Sequence, residues 1–150
     1  MNNFTEDQAM FREAYRKFLA EEIAPNMEKW REQRLVDRSA FEKAGAMGFL
    51  MIWPDEKYGG LGDMDFRYEQ IIIEETVRAG CFEWYNTLHS RLVGPYFNKF
   101  GTEEQKERFL PKLGDGRRLS AFALTEPGAG SDLTALKTTA VLDGDEYVVN

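Results

Sequence analysis

The residues best suited to ligand chemistry stand together in Ala121-Phe122-Ala123-Leu124-Thr125-Glu126-Pro127-Gly128-Ala129-Gly130-Ser131-Asp132. An apolar run enters this stretch, and Pro127 with Gly128 then forces a tight turn. Gly128 and Gly130 carry no Cβ, so backbone N–H groups can meet a ligand at close range. Thr125 and Ser131 flank the turn with hydroxyls that donate or accept. Such a turn suits a flat heteroaromatic ring with a phosphate tail. A plain Gly/Pro connector between two strands fits the same residues, so the rest of the chain must decide.

Other chemistries are narrowed by what the chain contains. Gly128-Ala129-Gly130 has the Gly-x-Gly form of a dinucleotide loop, but Leu133 stands where the third Gly or Ala belongs. No amphipathic helix follows it and no βαβ unit surrounds it. The one cysteine, Cys81, excludes an internal disulfide, and the one histidine, His89, leaves no His cluster for zinc. Both read as packing residues. A net charge of −7 argues against nucleic acid or an anionic membrane surface as partner. No apolar run approaches the roughly 20 residues of a membrane span. The polar, acidic start Met1-Asn2-Asn3-Phe4-Thr5-Glu6-Asp7 has the form of neither a signal nor a transit peptide. A soluble, intracellular protein is expected. Its 150 residues, 43% hydrophobic, suffice for one domain with a real core.

Helices are signalled first. Thr5 and Gln8 form a capping box, and Phe11, Ala14, Tyr15, Phe18 and Leu19 recur at helical spacing. Pro25 predicts an end or kink near Ile23 and Ala24, with a short polar piece beyond it. Asp37 caps a helix carrying Phe41, Ala44 and Met47, which Gly48 stops. Phe49-Leu50-Met51-Ile52-Trp53 reads as buried extended chain, and Tyr58-Gly59-Gly60-Leu61-Gly62 as a flexible loop. A long helix is predicted over 65–79, with Phe66, Ile72, Ile73, Thr76 and Val77 on its apolar side and Ile71 widening it; Gly80 stops it. A further helix is expected from Phe82-Glu83 towards Phe100, kinked at Pro95, its aromatic residues packing as core. Thr102 and Gln105 open a last helix to about Leu110, closed by Pro111, Gly114 and Gly116.

The period then changes. Residues 119–124, 138–142 and 146–149 read as strands, with Asp143-Gly144 as the hairpin signal between the last two. The expected fold is mainly α: an all-α unit over 1–117, then the first strands of a β-domain over 118–150. Three strands leave open edges and an uncovered face, which predicts that the chain is a piece of something longer.

Several separated segments then agree with one family. Phe4-Thr5-Glu6, Tyr58-Gly59-Gly60-Leu61-Gly62, Gly101-Thr102-Glu103-Glu104-Gln105-Lys106, Leu110-Pro111-Lys112-Leu113, Leu124 through Asp132, and Asp143-Gly144-Asp145-Glu146-Tyr147-Val148-Val149-Asn150 stand in that family's order over essentially the whole chain. The chain resembles the N-terminal part of the acyl-CoA dehydrogenases. The placing of Phe66-Arg67-Tyr68 after the glycine loop is most similar to the long-chain branch.

The resemblance implies a helical domain followed by the opening of the family's middle β-domain. It implies FAD as cofactor, with Phe122, Ala123, Leu124, Thr125, Glu126, Pro127, Gly128, Ala129, Gly130 and Ser131 as the flavin-contacting stretch. Thr125 would bond the pyrimidine edge of the isoalloxazine, and Ser131 would lie near the pyrophosphate and the CoA side of the substrate. The implied reaction is α,β-desaturation of a fatty acyl-CoA: a carboxylate takes the α-proton and a hydride leaves the β-carbon for flavin N5. That carboxylate would lie beyond this chain, so the isolated polypeptide is expected to be inactive, and Glu126 is read as a turn residue. An acyl pocket bounded by Trp84, Leu88, Leu92 and Tyr96 is expected, shortened because bulky residues stand where the long-chain branch has small ones. The resemblance also implies a homotetramer, an electron-transferring flavoprotein as partner, and a cytoplasmic location, or the mitochondrial matrix in a eukaryote. A flavin oxidase of the same fold, and a helical binding piece without flavin, remain as alternatives.

Overall fold

The structure, a computed structural model, describes residues 4–62 and 65–150; the first three residues of the polar start lie outside them. Helix α1, Glu6–Phe18, begins at the expected capping box. Thr5 Oγ1 accepts from the Gln8 amide at 3.2 Å, and Gln8 Oε1 accepts from the Thr5 amide at 3.1 Å. Gln8 Nε2 also donates to Asp65 at 2.9 Å, and Asp65 caps helix α4, Phe66–Arg78. The starts of these two helices are therefore tied together. The chain continues from α1 through a π-helical segment, Leu19–Ile23, and a 3-10 turn, Ala24–Asn26, into α2, Met27–Gln33. Pro25, which lacks an N–H, is accommodated by these two non-α turns.

Helices α1 and α4 pack along their lengths. The Glu75 carboxylate on α4 pairs with Arg12 at 3.1 Å, Arg16 at 2.9 Å and Arg78 at 2.6 Å. Beside it the fully buried Tyr15 hydroxyl lies 2.9 Å from Thr76 Oγ1 and accepts from Trp84 Nε1 at 3.2 Å. Burial pushes the Tyr15 phenol up to about 12. Phe18 and Phe49 pack round this point with Tyr15, and Trp84 meets Phe41 of helix α3, Arg38–Ala46, at 4.7 Å.

Residues 49–53 are buried throughout and form neither helix nor strand. Phe49 and Leu50 belong to the core around Tyr15. Met51 and Trp53 belong to a second core with Tyr58, Leu110 and Leu113. Polar groups of the run find partners: the Met51 amide donates to Ser90 Oγ at 3.3 Å, and Trp53 Nε1 to the Ser90 carbonyl at 2.8 Å. The Ile52 carbonyl accepts from Leu61 at 2.8 Å.

Three expectations about the helices are corrected. In α4 Ile71, Ile72 and Thr76 are buried together with Tyr68, while Phe66, Ile73 and Val77 face outward. The helix is apolar on two sides, and periodicity alone could not choose between them. The aromatic segment becomes helical at residue 86, not at Phe82-Glu83. It runs through a π-helical stretch, Leu88–Val93, into α5, Gly94–Phe100, with Pro95 in the first turn of α5. Trp84 is core, but Phe82, Tyr85, Tyr96 and Phe100 are exposed. Helix α6, Glu103–Gly114, opens at its capping box and continues through Pro111, because Leu110 and Leu113 on either side of it are buried. One lost hydrogen bond is outweighed by that burial.

Helix α6 leaves the core at a reciprocal close contact. A Cβ on Gly45 would stand 2.3 Å from the Asp115 backbone, and one on Gly116 would stand 2.2 Å from the Phe41 carbonyl. The backbones of α3 and the α6 exit meet there with no side chain between them.

Beyond it, residues 119–124 form no strand, and the sheet has two strands where three were expected. Strands β1, Ala140–Asp143, and β2, Glu146–Val149, pair antiparallel across Gly144-Asp145, with Gly144 at φ 66. Every residue of both strands is exposed. An extended segment becomes a strand only beside a partner, and 119–124 has none among the described residues.

Tyr15→Phe removes a buried acceptor and is expected to lower the unfolding free energy by about 1–2 kcal/mol. Trp84→Ala is expected to cost about 3–5 kcal/mol by leaving a cavity. Denaturant titration of the chain measures both; a Tyr15→Phe midpoint equal to wild type would contradict the role given to the hydroxyl.

Candidate functional site

The segment 121–131 stands open at the surface. The Glu126 amide donates to the Ala129 carbonyl at 3.0 Å and the Ala129 amide returns a bond to the Glu126 carbonyl at 3.1 Å, closing a turn on Pro127 and Gly128. Ala129 points inward, and Thr125, Pro127, Gly128, Gly130 and Ser131 are exposed. Neither Gly128 nor Gly130 has a left-handed φ, and a Cβ on either would meet nothing within 4 Å. The chain itself therefore does not require glycine at these positions. Among the described residues, the amides of 121–125 donate to no protein acceptor, and the Thr125 and Ser131 hydroxyls have no protein partner. The expected site residues thus present a row of free donors beside an unobstructed turn.

Glu126 has a different part from its neighbours. Its carboxylate accepts from the Lys137 amide at 2.8 Å, the Thr138 amide at 3.0 Å and the Thr138 hydroxyl at 2.5 Å. These bonds hold the carboxyl below the usual glutamate range, the Thr138 hydroxyl contributing most. Glu126 braces the turn against the chain that leads into β1, which agrees with reading it as a turn residue.

The other end is held by His89. The Ser120 amide donates to His89 Nδ1 at 3.1 Å, so Nε2 carries the proton and donates to the Leu113 carbonyl of α6 at 3.0 Å. Ser120 Oγ lies 2.9 Å from Nδ1 and 3.3 Å from the His89 carbonyl. Burial pushes the imidazole below its ordinary pKa, against an opposing contribution from the Leu113 carbonyl.

The four expected acyl-pocket residues do not form one wall. Trp84 lies in the core, Leu88 is half-buried, and Leu92 and Tyr96 are exposed. The Tyr96 ring lies 5.8 Å from that of Phe122, the first residue of the expected flavin stretch, tilted by 36° to it. The segment preceding residue 86 is not helical, so Trp84 does not continue the face that carries the other three. Instead Trp84 backs a cleft of about 120 Å³ with Ile73 and Val77 of α4, Phe82, Tyr85 and Asn86. Asn86 Oδ1 is buried there without a partner.

Two further groups escaped the sequence reading. Glu69 on α4 is buried with neither carboxylate oxygen partnered, and burial raises its pKa. Its helical position alone placed it at the edge of the apolar stripe. His89, a packing residue by sequence, lies within the aromatic segment, and nothing in its neighbours signals that it reaches Ser120. Cys81 is buried with its thiol 3.5 Å from the Ala79 carbonyl and its pKa raised by burial, which suits a packing role. Among the described residues no group of acidic, His and Cys side chains could hold a metal, and no helix is long and apolar enough to cross a membrane.

Comparison with known proteins decides the family. The profile described as "Acyl-CoA dehydrogenase, N-terminal domain" matches residues 5–117. The chain belongs to the acyl-CoA dehydrogenase family. The mitochondrial long-chain specific acyl-CoA dehydrogenase of Rattus norvegicus is 40% identical over 147 residues, covering 98% of this chain and 34% of that protein. The crystal structure of an acyl-CoA dehydrogenase from Geobacillus kaustophilus superposes with a TM-score of 0.92 at 47% identity, over 99% of this chain and 39% of the other. That of an acyl-CoA dehydrogenase complexed with FAD from Bacillus anthracis gives 0.88 at 36% identity, over 99% and 26%. The chain therefore spans about a third of the length of these relatives.

The depressed pKa of Glu126 sets a pH window. Its contribution to the turn is fully present above the unfolded glutamate value and is lost as pH falls through the lower folded value. Amide exchange followed by NMR on acidification is expected to show Lys137 and Thr138 losing protection at a pH below the ordinary glutamate range. Glu126→Ala should give the same loss at neutral pH.

Proposed function

We propose that this chain forms part of an FAD-dependent acyl-CoA dehydrogenase and supplies one wall of its flavin site. The observation that carries the reading is the open turn: free amides over 121–125, unpartnered hydroxyls at Thr125 and Ser131, and two exposed glycines that the backbone itself does not require. Such a surface fits the edge of a heteroaromatic ring and its pyrophosphate tail. FAD, when bound, supplies the acceptor for the hydride that leaves the acyl β-carbon.

The residues of this chain orient and enclose. Thr125 would bond the pyrimidine edge through its hydroxyl or its amide, and residues 122–124 would lie along the ring. Ser131 would lie by the pyrophosphate and the CoA side of the substrate. Because the donors sit on a turn fixed by Glu126, little reorganisation is needed when the ligand arrives. The α-proton is taken by a carboxylate that we assign to no residue of this chain, since Glu126 is engaged as a brace. Loss of that proton and of the β-hydride leaves a trans-2-enoyl-CoA.

The acyl chain is proposed to run towards the cleft beside Trp84. Phe82 and Tyr85 narrow this cleft, so acyl groups shorter than those of the long-chain branch should fit. In the whole protein, electrons would pass to an electron-transferring flavoprotein, and the enzyme would be a homotetramer of the cytoplasm or the mitochondrial matrix.

The full-length protein should carry a visible flavin absorption band at near-stoichiometric level, and the 150-residue chain at most a weak one. Thr125→Ala is expected to weaken flavin binding by about tenfold, the effect of one lost hydrogen bond in a closed site. Absence of the band from the full-length protein would overturn the flavin reading. Tyr85→Ala should raise kcat/KM for longer acyl-CoAs relative to shorter ones; an unchanged order would place the acyl chain elsewhere.

A further inference from the structure

We infer that His89 is a positioning residue for the flavin-facing segment, acting through Ser120. The inference rests on the flavin reading above. Between Ser120 and Glu126 the main chain makes no backbone hydrogen bond to the rest of the described residues. The segment is a span hung from two anchors, and the hydrogen bonds of the far anchor, Glu126, all stay within the same exposed region, its carboxylate on residues 137 and 138 and its main chain on Ala129. The near anchor is the one that ties the span to the helical core.

That anchor reads both helical layers at once. The His89 ring is fixed by its Nε2–H bond to Leu113 of α6 and lies edge-on to Phe41 of α3 at 6.3 Å. Its main chain belongs to the π-helical segment, where its carbonyl accepts from Gly94 as well as from Ser120 Oγ. Nδ1, left without a proton, then receives the Ser120 amide. The position of Ser120 is therefore set by the mutual placement of α6 and the π segment, and Ala121 follows directly. Tyr96 on α5 adds a ring contact to Phe122 two residues on, steering the same span from the helix that the π segment feeds.

Two substitutions separate positioning from stability. His89→Phe keeps a ring of similar size but leaves the Ser120 amide without its acceptor. His89→Asn puts an amide oxygen close to the place of Nδ1 and gives up the bond to Leu113 and part of the ring packing. In the full-length FAD-loaded protein, flavin dissociation followed by fluorescence should show His89→Phe weakened by about tenfold and His89→Asn within about threefold of wild type, as one restored hydrogen bond requires. Both variants should lose thermal stability, so a purely structural role would weaken flavin binding equally in the two. The visible circular dichroism of the bound flavin should change in His89→Phe and be retained in His89→Asn.

Should His89→Phe fail to fold, Ser120→Pro removes both bonds of Ser120 to His89, the amide and the hydroxyl, outside the core, and should show the same flavin loss. Amide exchange in the 150-residue chain needs no flavin: the Ser120 amide should lose its protection in His89→Phe and keep it in His89→Asn. Equal flavin affinity in wild type and His89→Phe, or equal loss in Phe and Asn, overturns the inference. A wild-type full-length protein that binds no flavin would instead overturn the functional reading, leaving the exchange experiment to decide the anchor.

Discussion

The fold depends on five consecutive buried residues that belong to no regular element. Residues 49–53 contribute Phe49 and Leu50 to one core and Met51 and Trp53 to the other. A segment without helix or sheet cannot satisfy its own polar groups, so burying it requires partners from elsewhere. Ser90 supplies two of them, one through its hydroxyl and one through its carbonyl. The run therefore draws the π-helical segment against it, and with that segment comes His89. Met51 itself sits at φ 47, an uncommon conformation for a non-glycine residue, held by the packing on both sides.

This arrangement explains what was legible in the sequence. Local signals with a local cause read correctly: the two capping boxes, the interruption around Pro25 and the glycine stops after α3 and α4 each act within a few residues. The open character of the Thr125 turn was also legible, because it follows from residue types alone. What failed needed knowledge of neighbours. The inward face of α4 is chosen by α1, through Tyr15 and the arginines that meet Glu75, and the helix's own pattern offered two candidates. Residues 119–124 have strand-like composition but no partner strand. Trp84 stands four residues before Leu88, at helical spacing, yet is held outside the helix by its bond to Tyr15.

The distribution of apolar surface has a pattern of its own. Phe66, Ile73 and Val77 on α4, Phe82 and Tyr85 after it, and Tyr96 and Phe100 on α5 are all more than two-fifths exposed. Single exposed apolar residues are ordinary on a protein surface. Here they gather along α4 and the segment that follows it, which also line the cleft backed by Trp84. The charged side of the same molecule is different in kind: Arg12, Arg16 and Arg78 converge on one buried carboxylate, which joins helices.

The glycine contact at the α6 exit has a mechanical consequence. The nine residue steps from Gly116 to Thr125 span at most about 30 Å when extended. As a lever arm hinged at Gly116, that length turns an angular error of about 10° into a tip displacement of roughly 5 Å, far beyond what a hydrogen bond to a ligand tolerates. Gly45 and Gly116 remove the play at the hinge, since backbone rests on backbone there. His89 at Ser120 then moves the effective pivot four residues closer to the tip and cuts the arm by almost half. Precision at an exposed turn is thus set by two contacts well inside the helical body.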